Sequence, residues 1–170
     1  MDAAAAFVRD FADRWIAAWN SRDPDQILAL CSDDISYADP AFEGEARGKE
    51  AARRVVEETI AAFPDLRFDR VSGPYVEVDG ERAALVWRMD AHMLGETGGF
   101  APTGGHVDAL GVDLFEFRDG SLVGYRALYD AAEFGRQMGL IPPRGSRPER
   151  VMIRLQRLGA RRARRKNAKA

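Results

Sequence analysis

The sequence predicts an α+β domain in which helices are segregated against a curved antiparallel sheet, and three features point to it. Apolar residues recur at helical spacing through the early chain. From Arg67 onward the apolar period changes to two. Two Asp-Gly pairs, Asp79-Gly80 and Asp119-Gly120, then punctuate the alternating region as hairpin turns.

The first helix is expected over residues 2–20. Phe7, Phe11, Trp15 and Trp19 fall on one line, with Val8, Ala12 and Ile16 beside them. Asp23-Pro24-Asp25-Gln26 restarts the helical pattern, with Asp23 as N-cap, Pro24 at the first position and Gln26 reaching back. That short helix ends near Cys31. In the strand Asp33 to Pro40, alternation places Ile35, Tyr37 and Asp39 on one face, so a carboxylate shares a side with an apolar residue and a phenol. Glu43-Gly44 and Arg47-Gly48 lead into a third helix from Lys49 to Phe63, which Pro64 stops. Strands follow at 67–78, 82–94, 106–118 and 121–129. A glycine-rich connection from Gly95 to Gly105 is long enough to cover a cavity mouth. Asp130-Ala131-Ala132-Glu133 opens a last helix that ends near Gly139, and Pro142 to Ser146 is linker.

The length of 170 residues, 46% of them hydrophobic, suits one domain over residues 1–140 followed by a basic, flexible tail over 141–170. Cys31 is the lone cysteine and reads as a small core residue. The chain opens without a basic leader or a long apolar run, and a cytoplasmic protein is expected. The net charge of −2 hides an asymmetry. From Ile141 to Ala170 there are 11 Lys and Arg and one acid, net +10, which leaves the rest at −12. Arg147 onward suits an amphipathic helix with Val151, Leu155 and Leu158 on one side, and the run Arg161 to Lys166 reads as solvated. The acidic body, nucleic acid and an anionic membrane all remain open as its partners. No aromatic interleaves the basic residues, which disfavours single-strand stacking.

The Asp33-Asp34 strand, Gly48, Phe63-Pro64-Asp65, Pro102-Thr103-Gly104, Asp119-Gly120 and Gln137-Met138-Gly139 carry a family pattern. Over about residues 7–140 the chain resembles the nuclear transport factor 2-like superfamily. Within it, the likeness is to SnoaL-like polyketide cyclases, ketosteroid isomerases and limonene epoxide hydrolases. The resemblance implies a cystatin-like sheet wrapped by three to four helices around a conical pocket. Asp39 matches where ketosteroid isomerases place their general base. Asp113 matches their protonated, oxyanion-binding Asp, in a family that is itself the standard worked case of two carboxylates given opposite roles. Trp15 occupies the place of that family's helix tyrosine, and an indole N–H cannot exchange a phenolic proton. Arg88-Met89-Asp90 and Tyr37-Ala38-Asp39 match residues of the limonene epoxide hydrolases. Ala127 stands where both the epoxide hydrolases and the SnoaL-like cyclases carry their acidic residue, so Asp39 or Asp90 would have to replace it.

If Arg88 faces the concave side, strand parity puts Val86, Asp90 and His92 with it and sends Leu85, Trp87, Met89 and Ala91 outward. That apolar outer face would form a homodimer. The same parity places Phe115 and Phe117 beside Asp113, next to Tyr125, Ala127 and Tyr129. The expected catalytic set is therefore Asp39, Asp113, Tyr37, Arg88 and Asp90, with Trp15, Trp19, His92, Phe115 and Tyr125 holding substrate. Carboxylates buried near each other do not all ionise, which supplies a base and an acid for moving a proton on a small apolar carbonyl compound. No cofactor is expected, and His92 and His106 without a third ligand do not make a metal site. Plainer readings stand beside these. Asp39 can bond its own turn, Arg88 and Asp90 can be a structural ion pair, the tryptophans can be core, and Asp130 can be an N-cap with Glu133. Epoxide hydrolysis by Arg88, Asp90 and Tyr37, and ligand binding without catalysis, are the alternative functions.

Overall fold

A computed structural model describes residues 3–78 and 80–167. The helices come first: α1 at Ala3–Ser21 and α2 at Pro24–Leu28. The inward face of α1 carries Val8, Phe11, Ala12, Trp15, Ala18 and Trp19, the stripe that the helical period required. Asp23 caps α2 by accepting from the Asp25 N–H at 2.9 Å, while the Gln26 amide bonds the same carboxylate rather than the backbone.

Strand β1 runs Cys31–Ala38 and ends one residue before Asp39, and β2 is the two-residue strand Ala46–Arg47. Then come α3 at Lys49–Ala62, β3 at Arg67–Val76, β4 at Arg82–His92, β5 at His106–Arg118, β6 at Ser121–Tyr129 and α4 at Ala131–Gln137. The six strands form one sheet in the order β2-β1-β6-β5-β4-β3. Every neighbouring pair is antiparallel except β1 with β6, which run parallel. The Asp119-Gly120 turn is present as expected. Both residues have positive φ, 51° and 77°, the combination a tight two-residue hairpin demands. Asp79 lies outside the described residues, and its hairpin is closed by the Glu77 N–H donating to the Arg82 carbonyl at 2.9 Å.

The core lies between the helices and the concave face of the sheet. There Leu85, Trp87, Met89 and Ala91 of β4 are all buried against α1 and the aromatic residues of β5 and β6. This reverses the expected orientation of β4. The outward residues are Arg88, Asp90 and His92, and they are satisfied on the solvent side: Arg88 pairs with Asp108, His106 Nε2 lies 3.0 Å from Asp90, and His92 Nδ1 lies 2.7 Å from Asp65. The apolar set assigned to an outer dimer face is thus core. The outer face instead mixes these charges with exposed Leu110, Leu114 and Leu128.

The last element is a helix, α5, at Arg147–Asn167. Ser146 Oγ accepts from the Glu149 N–H at 3.2 Å and Glu149 Oε2 accepts from the Gly145 N–H at 2.5 Å, a reciprocal cap that explains why the helix starts there. Its final basic turn carries the run expected to be solvated; residues 168–170 lie outside the described part. Among the described residues no helix is long and apolar enough to cross a membrane.

Candidate active site

Asp113 is the only charged residue among the fully buried groups described, 3% exposed in the centre of β5. Three donors converge on it. Trp15 Nε1 donates to Oδ2 at 2.9 Å, Trp87 Nε1 to Oδ1 at 2.7 Å and Tyr125 Oη to Oδ1 at 2.9 Å. Register explains the convergence: Asp113 pairs with Leu85 on β4 and with Ala127 on β6, so residues two positions away on each neighbour point to the same side. Trp87 reaches across because its own partner is Gly111, where a Cβ would come within 2.2 Å of the indole. Burial pushes the Asp113 carboxyl up to about 7, against the three donors, and the nearby Asp39 charge pushes the same way.

Asp39 sits just past β1, half-buried. Its Oδ1 accepts from the Ala41 N–H at 2.8 Å, the turn-forming bond of the plainer reading, and also from Tyr129 Oη at 2.7 Å. Both bonds use Oδ1, and Oδ2 has no protein partner among the described residues. Burial raises this carboxyl above its ordinary value, while the Ala41 N–H and the Tyr129 hydroxyl oppose the rise. Burial also holds the Tyr37 and Tyr125 hydroxyls well above their ordinary range, so both remain protonated donors at neutral pH.

A cavity of about 50 Å³ lies against Asp39 and Tyr125. Asp39, Tyr125 and Tyr129 supply its polar wall with Thr59 and Thr97, and Trp19, Phe63, Phe68, Trp87, Met89 and Phe134 supply its apolar wall. Phe42 and Ala41, from the loop after Asp39, close one side. The space holds little more than a water or two and is smaller than a ring-sized ligand.

Of the expected residues, Asp39, Trp19 and Tyr125 line this cavity. Asp113 and Trp15 lie behind Tyr125, one hydrogen bond deeper. Phe115 is core, edge-on to Phe11 and Trp15 and tilted against Phe117. Tyr37 packs against Tyr125, ring centres 4.3 Å apart, and borders an open groove beside Asp39 rather than the cavity. Arg88, Asp90 and His92 lie on the opposite face of the sheet, which separates them from Asp39 and Tyr37 and dissolves the expected Arg-Asp-Tyr constellation. Among the lining residues not assigned to the site from sequence are Tyr129, Trp87 and Phe42. The apolar alternation Leu85, Trp87, Met89 carried the signal for Trp87, and the alternation Tyr125, Ala127, Tyr129 carried it for Tyr129. Ala127 is buried opposite Asp113 and offers only a methyl group. Cys31 is likewise inert, since burial pushes its thiol up to about 12. Among the described residues, no three His, Cys, Asp or Glu side chains are grouped to hold a metal ion.

Known proteins agree with this architecture. A protein provisionally assigned as a SnoaL-like polyketide cyclase from Jannaschia sp. CCS1 is 18% identical, with 84% of this chain and 98% of that one superimposed at a TM-score of 0.72. AclR from Streptomyces galilaeus, provisionally assigned as a hydroxylase, is 27% identical over 82% of this chain and 89% of its own, at a TM-score of 0.68. TsrD from Streptomyces laurentii is 22% identical over 83% and 99%, at 0.67. No curated protein matches the chain. The family model for SnoaL-like polyketide cyclases matches residues 9–138, which runs from within α1 through α4 and takes in every residue of the cavity. With six strands in this order, helices on the concave face and the match running the length of the domain, the chain belongs to the SnoaL-like polyketide cyclase family.

Proposed function

We propose that the protein is a cofactor-independent isomerase or cyclase that moves a proton on a small, apolar carbonyl compound of polyketide-, steroid- or terpenoid-like character. The observation that carries this reading is the pairing of two carboxylates of different environment across one cavity. Asp39 lines the cavity and keeps Oδ2 without a protein partner among the described residues, and Asp113 lies behind the wall, joined to it by the Tyr125 hydroxyl and the Trp87 indole.

The hydrogen-bond inventory supports a division of roles. Both indole N–H groups on Asp113 can only donate, whereas Tyr125 Oη can donate or accept. When Asp113 is neutral its proton sits on Oδ1 and is donated to the Tyr125 oxygen, and both indoles keep their acceptors. The Tyr125 hydroxyl hydrogen is then released toward the cavity. It donates to a substrate carbonyl while ionised Asp39 takes a proton from the adjacent carbon, and the developing enolate oxygen is stabilised by a donor already in position. Return of that proton from Asp39 to another carbon completes isomerisation; attack of the enolate carbon on a second carbonyl, with Asp39 passing its proton to the new alkoxide oxygen, completes ring closure. Asp113, Trp15 and Trp87 are positioning residues in this scheme, and Tyr125 and Asp39 are the catalytic ones. Asp39 takes the part that Ala127 cannot perform. The aromatic walls exclude water from the enolate and favour a flat, apolar substrate.

Incubation of the protein in deuterium oxide with a panel of aryl ketones, enones and linear polyketide mimics tests the reading. Deuterium appearing next to a carbonyl with wild type and not with Asp39→Asn supports it. Equal exchange in both proteins contradicts it. Binding without catalysis is a second reading, favoured by Ala127, and would show as a retained ligand with no exchange.

A further inference from the structure

The α5 helix takes no part in the candidate site, yet it is built with care. Its start is fixed by the Ser146 and Glu149 cap, and the segment that leads toward it leaves α4 with the Leu140 and Ile141 N–H groups both donating to the Gly135 carbonyl, at 2.9 and 3.0 Å. Its 21 residues extend about 30 Å. Val151, Met152, Leu155 and Leu158 recur at three- and four-residue spacing on one side, and all are exposed, Leu155 at 63%. Arg150, Arg154, Arg157 and Arg161 recur at the same spacing along a neighbouring side. The helix carries nine Lys and Arg and one acid, Glu149.

We propose that α5 is an interfacial helix that docks the protein on an anionic lipid surface. Its two stripes make separate demands, and an occupant must meet both. The apolar stripe requires a nonpolar medium. The arginine stripe requires negative charge. A second α5 would satisfy the first demand but bring the same positive charge against it. A nucleic acid backbone satisfies the second and leaves the apolar stripe in water. The acidic body, net −12, has the right sign, but α5 does not lay its apolar stripe on it: Val151, Met152, Leu155 and Leu158 all stay exposed. An anionic leaflet meets both demands at once. The apolar stripe lies at the acyl boundary, and the arginines run their aliphatic stems along it to reach the phosphates. Such a placement requires nothing of the catalytic reading and stands without it.

Sedimentation of the full-length protein with vesicles of phosphatidylcholine, alone or mixed with phosphatidylglycerol, tests this at low and high salt. The expected result is binding to the anionic vesicles only, weakened by salt. The double variant Val151→Glu, Leu155→Glu and the triple variant Arg150→Gln, Arg154→Gln, Arg157→Gln each lose affinity by about tenfold or more. Both keep the wild-type thermal unfolding of the body, because these side chains lie outside its core. Absence of vesicle binding at low salt overturns the proposal, as does undiminished binding by the glutamate variant. Binding to duplex DNA that survives the glutamate variant, in a protein that ignores vesicles, overturns it in favour of nucleic acid. Self-association lost in the glutamine variant, again without vesicle binding, overturns it in favour of the acidic body of another copy.

Discussion

Trp87 Nε1 donates to Asp113 Oδ1 at 2.7 Å, from a strand whose apolar residues all face the same interior. That bond makes β4 part of the site through its indole rather than through its arginine. It also shapes the protonation of Asp113, because an N–H that can only donate stabilises the carboxylate more than the acid. Replacing Trp87 by Phe removes one such donor and raises the Asp113 pKa by about one unit. The pH at which activity falls on the alkaline side moves upward with it. A pH–rate profile of Trp87→Phe against wild type measures the shift, and a downward shift would contradict the assignment.

Asp39→Asn is expected to lower turnover by roughly 10²- to 10⁴-fold, the ordinary contribution of a general base. The fold survives, since the amide oxygen can still accept from Ala41 and Tyr129. Turnover on an exchanging substrate and thermal unfolding, measured on the same preparation, separate the two effects.

Stability should fall as pH rises from about 4 toward about 7. The folded Asp113 holds its proton up to about 7, while the unfolded side chain releases it near the ordinary 3.8. Between those limits the folded state binds the extra proton, so unfolding releases one and each rise in pH favours the unfolded chain. The stability lost by the time Asp113 is ionised is on the order of 4 kcal/mol. Asp113→Asn removes this contribution. Urea unfolding of both proteins across a pH series tests the sign, which would be opposite if Asp113 were held below its ordinary value.

Arg88→Ala and Asp90→Asn should leave turnover unchanged. Both residues are on the solvent face of the sheet, where water screens their pairs with Asp108 and His106 and little stability rests on them. Steady-state kinetics of each variant, with a denaturation midpoint, check this. A large loss of turnover would restore the expected Arg-Asp site.

Gly111→Ala drives a methyl into the Trp87 ring and is expected to cost about 1–3 kcal/mol. Chemical denaturation measures it. Displacing that indole also loosens its bond to Asp113, so the alkaline limb of the rate profile should move in the direction seen for Trp87→Phe.

Most of the fold was legible because its signals are local. The helical line from Phe7 to Trp19, the Pro64 stop and the Asp119-Gly120 turn each specify their element within a few residues. Strands β5 and β6 have the bounds that alternation gave, and the parallel pairing of β1 with β6 was not visible because register between distant strands has no local signature. In the site, Asp39 and Tyr125 were legible as polar groups on otherwise apolar faces. The orientation of β4 was not. Its alternation alone sends Leu85, Trp87 and Met89 inward, and the four-residue likeness to Arg-x-Asp and Tyr-x-Asn sites turned the strand over. A bidentate arginine can be satisfied as well by a neighbour such as Asp108 as by a substrate, so such a motif does not fix its own face. The separation of Asp113 from the cavity by one phenol depends on packing depth, which sequence spacing does not encode.

The measurement that bears most directly on this account is a carbon-13 titration of the aspartate carboxyls, with Asp113→Asn used to assign the signal. A resonance that titrates near 7 and vanishes in the variant would place a neutral acid behind Tyr125 under working conditions. An Asp113 signal that titrates in the ordinary range, at about 4, would leave Tyr125 donating to a carboxylate rather than to substrate and would contradict the mechanism.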